Sequence, residues 1–246
     1  MSVLDEAYRV SWGDLQYMKG NLPEVFLSSL VGPLLYLLAF GFGVGGNMED
    51  PAGYVEYIVP GIIAMTTLSA TFTTVSMKML VQRLFYMSFD ELILCPLHIS
   101  SIIIGKTIQG MVRALISCTI LLGVAYLLSP GINLSPWIFV LIIGASFMFS
   151  LLGVLAGMFI NLIQNLTLFT SIVIVPMTFL CGTLFDTNVL PPVVGYIIYA
   201  LPLTHVSNIM RGLMLPEYTV GFDSIIMMVL YIAAFYGICY YMVKKN

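Results

Sequence analysis

The chain has 246 residues, of which 60% are hydrophobic and only 9% charged, with 9 basic and 12 acidic side chains and a formal net charge of −3. A water-soluble domain carries about 25% charged residues, so this composition excludes a soluble fold and offers no basic surface for nucleic acid. No charged residue occurs between positions 114 and 185. A membrane-crossing helix needs roughly 20 apolar residues, so that interval alone holds about three spans. The fold class is therefore all-α: a polytopic membrane protein read as one domain over 1–246.

In chain order, residues 1–24 are mixed and acidic (Asp5, Glu6, Asp14, Glu24) and lack a cleavable signal pattern. The first span is expected to act as its own insertion signal. Six spans are expected, at 25–46, 57–77, 108–128, 137–160, 166–185 and 224–243. The polar break 161–165 separates the fourth from the fifth, and its Asn161, Gln164 and Asn165 are expected to cap the flanking helices. Residues 187–222 are too apolar for an aqueous loop and are divided by Pro191-Pro192, Pro202 and Pro216. The pieces 193–201 and 203–215 are each too short to cross a hydrocarbon core of about 30 Å. They are read as two short helices dipping into the outer leaflet and packed on the bundle, since irregular backbone at that depth must be covered by protein.

The basic residues fix an expected orientation. Arg9 and Lys19 precede the first span, Lys78, Arg83 and Lys106 lie between the second and third, and Lys244 and Lys245 follow the sixth. An even number of spans puts all seven on one side, which the positive-inside rule makes cytoplasmic, together with both termini. Glu49, Asp50, Glu56, Asp186, Glu217 and Asp223 fall on the opposite side. Arg113 follows Lys106 by seven residues, about 10 Å deeper at 1.5 Å per residue. A charge within a span is costly and points to function, here an inner gate. Its long side chain also permits a structural pairing or a return to the headgroups. His205 and Arg211 have two readings as well: fixing the outer hairpin, or hydrogen bonding to an anionic substrate headgroup.

The link between the second and third spans carries Gly105-Lys106-Thr107, the tail of a nucleotide-binding P-loop. The loop's opening glycine would fall at position 100, which is Ser100, and the flanks are not strand and soluble helix, so the motif fails. Upstream, Leu84, Phe85, Phe89, Leu92 and Ile93 recur at helical spacing with Arg83, Asp90 and Glu91 on the other side. This predicts an amphipathic helix over 83–95, stopped by Pro96, that lies on the membrane or docks in a partner's groove. Cys95, Cys118, Cys181 and Cys239 show no metal or redox spacing. No catalytic or metal-ligating constellation is expected, and the chain is not read as an enzyme.

The run Glu91-Leu92-Ile93-Leu94-Cys95-Pro96, followed by Gly105-Lys106, resembles the coupling segment of type-2 ATP-binding-cassette exporter permeases. Three further pieces look like that family's C-terminal signature: 179–185 with Gly182 and Thr183, then Leu190-Pro191-Pro192, then Leu201-Pro202 and Thr204-His205 through Arg211-Gly212. The subgroup it most resembles is the lipo-oligosaccharide and drug-efflux permeases. This resemblance implies a permease subunit in the cell membrane, paired with a second permease that is identical or a close paralogue. It also implies a separate ATPase subunit that holds ATP and Mg, with no cofactor on this chain. By the same resemblance, segment 3–19 lies at the inner interface, and Arg83, Phe89, Glu91, Leu92, Pro96, Gly105 and Lys106 form the ATPase-coupling set. Gly182, Pro191, Pro202, His205 and Arg211 would belong to the outer re-entrant region beside the substrate path. The short outer region favours an amphipathic, lipid-linked or drug-like substrate. The alternative is a secondary transporter or channel that works without ATP. Such proteins use buried carboxylates or histidines for ion coupling, and 114–185 has none.

Overall fold

The computed structural model describes residues 2–47, 51–128, 133–183 and 192–245, and among these the chain is helical without strands. The elements are α1 (Val3–Gly20), α2 (Leu22–Leu38), α3 (Pro51–Leu84), α4 (Ser88–Leu94), α5 (Ile99–Leu128) and α6 (Trp137–Phe159). They continue with α7 (Ile163–Phe169), α8 (Val175–Leu180), α9 (Pro192–Tyr199), α10 (Pro202–Met214) and α11 (Phe222–Lys245). A π-helical stretch, Ala39–Val44, prolongs α2, and another, Thr170–Ile174, joins α7 to α8.

Six helices are long and apolar enough to cross a membrane, at Leu22–Gly41, Gly53–Leu84, Ile99–Leu128, Trp137–Phe159, Ile163–Leu180 and Phe222–Lys245. They match the six expected spans in order. Two of them run further than expected. Helix α3 continues to Leu84, and α5 starts at Ile99 rather than near 108. Nothing from Ile99 onward interrupts a helix, and Pro96 is the residue that holds the start back.

The amphipathic helix expected over 83–95 is shorter than the periodicity indicated. Arg83 belongs to the last turn of α3, Met87 adopts a left-handed conformation with φ 53°, and α4 covers only Ser88–Leu94. The capping expectation at 161–165 also needs correction. Leu162 occupies the N-cap of α7 and gives no side-chain cap bond, while Asn161 Oδ1 accepts instead from Arg83 Nη2. Gln164 and Asn165 are exposed on α7.

Helix α3 is the shaft of the bundle. Its apolar window is 83% buried against 6% for α11, so α3 is the centre and α11 a peripheral helix. Its hydroxyls are satisfied along their own helix: Thr66 Oγ1 donates to Ile62 O at 2.6 Å, Thr67 to Ile63 O at 2.9 Å and Thr71 to Thr67 O at 2.7 Å. That pattern lets polar side chains sit at membrane depth without orphaned donors. Helix α6 meets α3 through Gly153 and Gly157, a pair four residues apart of the kind that lets helices approach closely in lipid. A Cβ at Gly157 would lie 2.6 Å from Met79 Cβ and 2.8 Å from Ser76 O.

Helix α1 shows an inverted amphipathicity. Ser2 caps it by accepting from Asp5 N–H, and Glu6, Ala7, Ser11, Asp14 and Met18 face the protein. Leu4, Tyr8 and Trp12 point outward, with Tyr8 and Trp12 in edge contact at 5.5 Å. An acidic face turned inward and an aromatic face turned outward suit a helix lying in the membrane interface.

Gly157→Leu is expected to cost about 1–3 kcal/mol by overpacking the α3–α6 contact, read as a lower thermal midpoint of the detergent-solubilised chain. An unchanged midpoint would show that this contact does not hold α6 to the shaft.

Candidate functional site

The end of the bundle that carries α1 and α4 is tied together by polar contacts. Gly105 lies where α1 crosses α5: a Cβ there would stand 2.7 Å from Val10 Cβ and 2.8 Å from Ala7 O. One turn from this crossing, the buried Glu6 carboxylate accepts from Ser101 Oγ at 2.8 Å and from the His98 N–H at 3.1 Å, with His98 Nδ1 also at 3.1 Å. These hydrogen bonds, led by the Ser101 hydroxyl, pull the Glu6 carboxyl down to about 2. Further along α1, Asp14 pairs with Lys78 at 2.9 Å and accepts from Gln82 Nε2 at 3.4 Å. Lys106 Nζ then donates to Gln82 Oε1 at 2.6 Å. Gly105 and Lys106 are thus both covered by their own chain, the glycine by α1 and the lysine by α3.

Next to this network the chain turns from α3 into α4. Arg83 donates to Ile160 O at 2.7 Å as well as to Asn161, which fixes the end of the shaft to the α6–α7 junction. Phe89, expected as a knob for a partner, is instead only 1% exposed and packs with Val75, Met79, Ile102 and Ile103. Leu92 is half-buried, whereas Glu91 and Pro96 are exposed. Around them Phe85, Tyr86, Met87 and Leu94 stand open, Leu94 at 85% exposure. The apolar side chains presented outward therefore come from the turn and the end of α4.

Between α1, α2, α3 and α5 lies a cavity of about 930 Å³. Its walls mix apolar residues such as Val25, Pro33 and Met65 with Ser28, Ser29, Thr73 and Thr74. Arg113 projects from α5 into it. The guanidinium Nε donates to Ser29 Oγ at 2.7 Å, Nη1 to Thr74 Oγ1 at 2.9 Å and Nη2 to Ser28 Oγ at 2.7 Å. Lys78, Asp14 and Gln82 line the same space, so the cavity continues the polar network of α1.

At the opposite end, the two short helices stand where the prolines placed them. Pro202 is buried at the start of α10, and Pro191 lies outside the described residues. Gly182 takes φ 66°, ending the run from α8 in a left-handed turn that favours glycine. Arg211 closes this turn by donating to Gly182 O and, at 3.4 Å, to Thr183 O, while its guanidinium lies 4.1 Å over the Tyr57 ring. The same segment presses on α3, where a Cβ at Gly61 would collide with the Thr183 backbone. His205, fully buried, sits with Nε2 2.9 Å from Tyr199 O. Both side chains thus brace backbone carbonyls of the α8–α10 region. Among the described residues no cluster of His, Cys, Asp or Glu is suited to a metal ion.

Six membrane-crossing helices, an interfacial helix at one end, a braced helical pair at the other and a polar cavity within the bundle define a polytopic transport subunit. The chain belongs to the ABC-2 type transporter family, which it matches over residues 8–215. It is 26% identical over 240 residues to the inner membrane transport permease YadH of Escherichia coli, covering 91% of this chain and 90% of that protein. It is also 26% identical over 208 residues to nodulation protein J of Bradyrhizobium diazoefficiens, covering 78% and 76%. Nodulation protein J of Rhizobium meliloti is 26% identical over 200 residues, covering 77% and 73%.

Sequence reasoning missed the contribution of α1. The acidic residues of 1–24 were visible, but their partners His98, Ser101 and Lys78 lie more than sixty positions away.

Glu6→Gln is expected to loosen α1, seen as several-fold faster amide hydrogen exchange along Val3–Gly20 at neutral pH. Because the folded carboxyl is held at about 2 against an ordinary 4.5, its contribution is complete above 4.5 and fades as pH falls toward 2. Glu6→Gln should therefore remove the loosening of α1 that wild type shows as pH falls from 4.5 toward 2, and an acid limb unchanged in Glu6→Gln would contradict the assignment.

Proposed function

We propose that this chain is the membrane-spanning subunit of an ATP-driven exporter, paired with a second permease and served by a separate ATPase subunit that holds ATP and Mg. The observation that carries the reading is the α3–α4 turn. Phe85, Tyr86, Met87 and Leu94 are exposed around Glu91 at the end of the bundle that also holds Arg9, Lys19, Lys78 and Arg83. By the positive-inside rule that end is cytoplasmic, with both termini. Apolar side chains standing in water beside a carboxylate are poor surface and good interface, since apolar anchors supply most interface energy.

In this reading Leu94, Phe85 and Tyr86 dock in the ATPase and Glu91 orients them. Phe89 and Leu92 anchor α4 to the bundle from beneath, and Gly105 and Lys106 act one step further in by seating α1. Arg83 passes displacement of the turn to the α6–α7 junction and along α3. The braced pair α9 and α10 forms the outer, re-entrant side of the path, with Gly182, Pro191, Pro202, His205 and Arg211 setting its shape. The substrate is an amphipathic molecule, lipid-linked or drug-like, moved outward across the cell membrane. The name of one relative, an inner membrane transport permease, agrees with a transport role.

Leu94→Asp combined with Glu91→Lys should leave membrane insertion intact and weaken ATPase association by roughly thirtyfold or more, the loss of one interface hot spot. Native mass spectrometry of the chain extracted from its source membranes is the measurement. Wild type is expected as two permeases with two ATPase subunits and the double variant without ATPase. An equal ATPase content in both would overturn the docking assignment.

A further inference from the structure

We propose that the cavity between α1, α2, α3 and α5 holds the phosphate-class headgroup of the transported amphiphile, with Arg113 as the anion contact. This rests on the transporter reading and names the chemistry of the substrate. The starting point is the balance of charge. Lys78 and Arg113 line the cavity with a single carboxylate, Asp14, which Lys78 engages at 2.9 Å. Lys106, just behind the wall, donates to the neutral Gln82. Among the described residues Arg113 forms no ion pair; Glu24 at the start of α2 is within electrostatic reach of it but exposed and not in contact. The cavity therefore carries positive charge that no carboxylate of its walls neutralises.

The partners of Arg113 point the same way. All three guanidinium nitrogens donate to hydroxyls, Ser29, Thr74 and Ser28, drawn from two other helices. A guanidinium has five N–H groups, so these bonds leave two unspent. Of the three hydroxyls, Ser28 already donates to Val25 O at 3.3 Å, while Ser29 and Thr74 keep their own protons for a further acceptor. Together they form a fan of donors around a fixed positive plane, the arrangement that matches the several oxygens of a phosphate. A charge held only by hydroxyls inside a membrane span is expensive unless an anion joins it. Alongside further polar residues such as Thr66, Ser69 and Gln109, the wall carries Val25, Pro33, Met65, Ala70 and Met77, an apolar share that suits the tail side of an amphiphile better than a free ion. A volume of about 930 Å³ is ample for a headgroup with part of its chains.

The test uses the full chain with whatever subunits accompany it, in a neutral maltoside detergent without nucleotide. Calorimetry compares dioctanoyl phosphatidic acid, dioctanoylglycerol and inorganic phosphate. Phosphatidic acid is expected to bind saturably, about tenfold or more tighter than the uncharged diacylglycerol, as hydrogen bonds to a charged group require. Inorganic phosphate should bind more weakly than the lipid. Arg113→Gln should remove the preference for the charged lipid. Thr73→Glu, at an exposed position of the wall, should do the same by supplying a competing carboxylate, and it serves if Arg113→Gln does not fold. Equal binding of charged and uncharged lipid overturns the proposal, as does an unchanged preference in the folded variants. Phosphate binding as tight as the lipid overturns it in favour of a free-anion site. Loss of ATPase association with this preference intact would sink only the exporter assignment, whereas a complete ATPase complex without the preference would sink only the headgroup site.

Discussion

The docking of α1 on α5 is the contact on which the rest of this end of the molecule depends. It needs a position without a side chain, Gly105, because α1 crosses there at backbone distance. Once the crossing is made, Glu6 falls on the His98 and Ser101 donors and Asp14 falls on Lys78 and Gln82. Two carboxylates on one helix thus find partners on two different helices. Gly13, Asp14 and Tyr17 then form one wall of the cavity that Arg113 enters from α5. Helix α1 thus presents an outward face of Leu4, Tyr8 and Trp12 and, on its other side, one wall of the cavity.

Helix α3 runs the length of the bundle. Its 34 residues span roughly 50 Å at 1.5 Å per residue. At one end Arg83 is tied to Ile160 and Asn161, and at the other Gly61 sits against the Thr183 backbone that Arg211 holds. Between them Gly153 and Gly157 of α6 keep the neighbouring helix at close range. Close packing makes such a shaft stiff, because a small shift must be taken up by neighbours that have no free space. Movement at the α3–α4 turn therefore has a short mechanical route to the region of α10.

Much of this fold was legible in the sequence, because hydrophobic length is read directly from the bilayer's thickness. The six spans, the prolines around α9 and α10 and the interfacial segment were all visible. The breaks were harder. The periodicity over Arg83–Cys95 is continuous, and only the left-handed Met87 divides it into the end of α3 and the short α4. That division turns Phe89 inward and leaves Phe85 and Tyr86 outside, so helical spacing alone assigned the faces incorrectly. Gly153 and Gly157 carried a readable close-packing signal that the hydropathy overshadowed. The surroundings of Arg113 were beyond sequence reading, since Ser28 and Thr74 lie 85 and 39 positions away from it.

The arginines of this chain show how burial alone fails to define a role. Arg211 is 6% exposed and gives donors to backbone carbonyls of a turn that Thr183 also ties to Thr178 O. Those acceptors belong to the fold, and an incoming ligand would have to break the turn to compete for them. Arg113 is less buried and gives its donors to hydroxyls on a cavity wall. Hydroxyls can rotate to serve a second partner without moving the backbone. The first arrangement gives donors to backbone, and the second gives them to hydroxyls that line a cavity. The distinction between the two arginines thus rests on what accepts their hydrogen bonds.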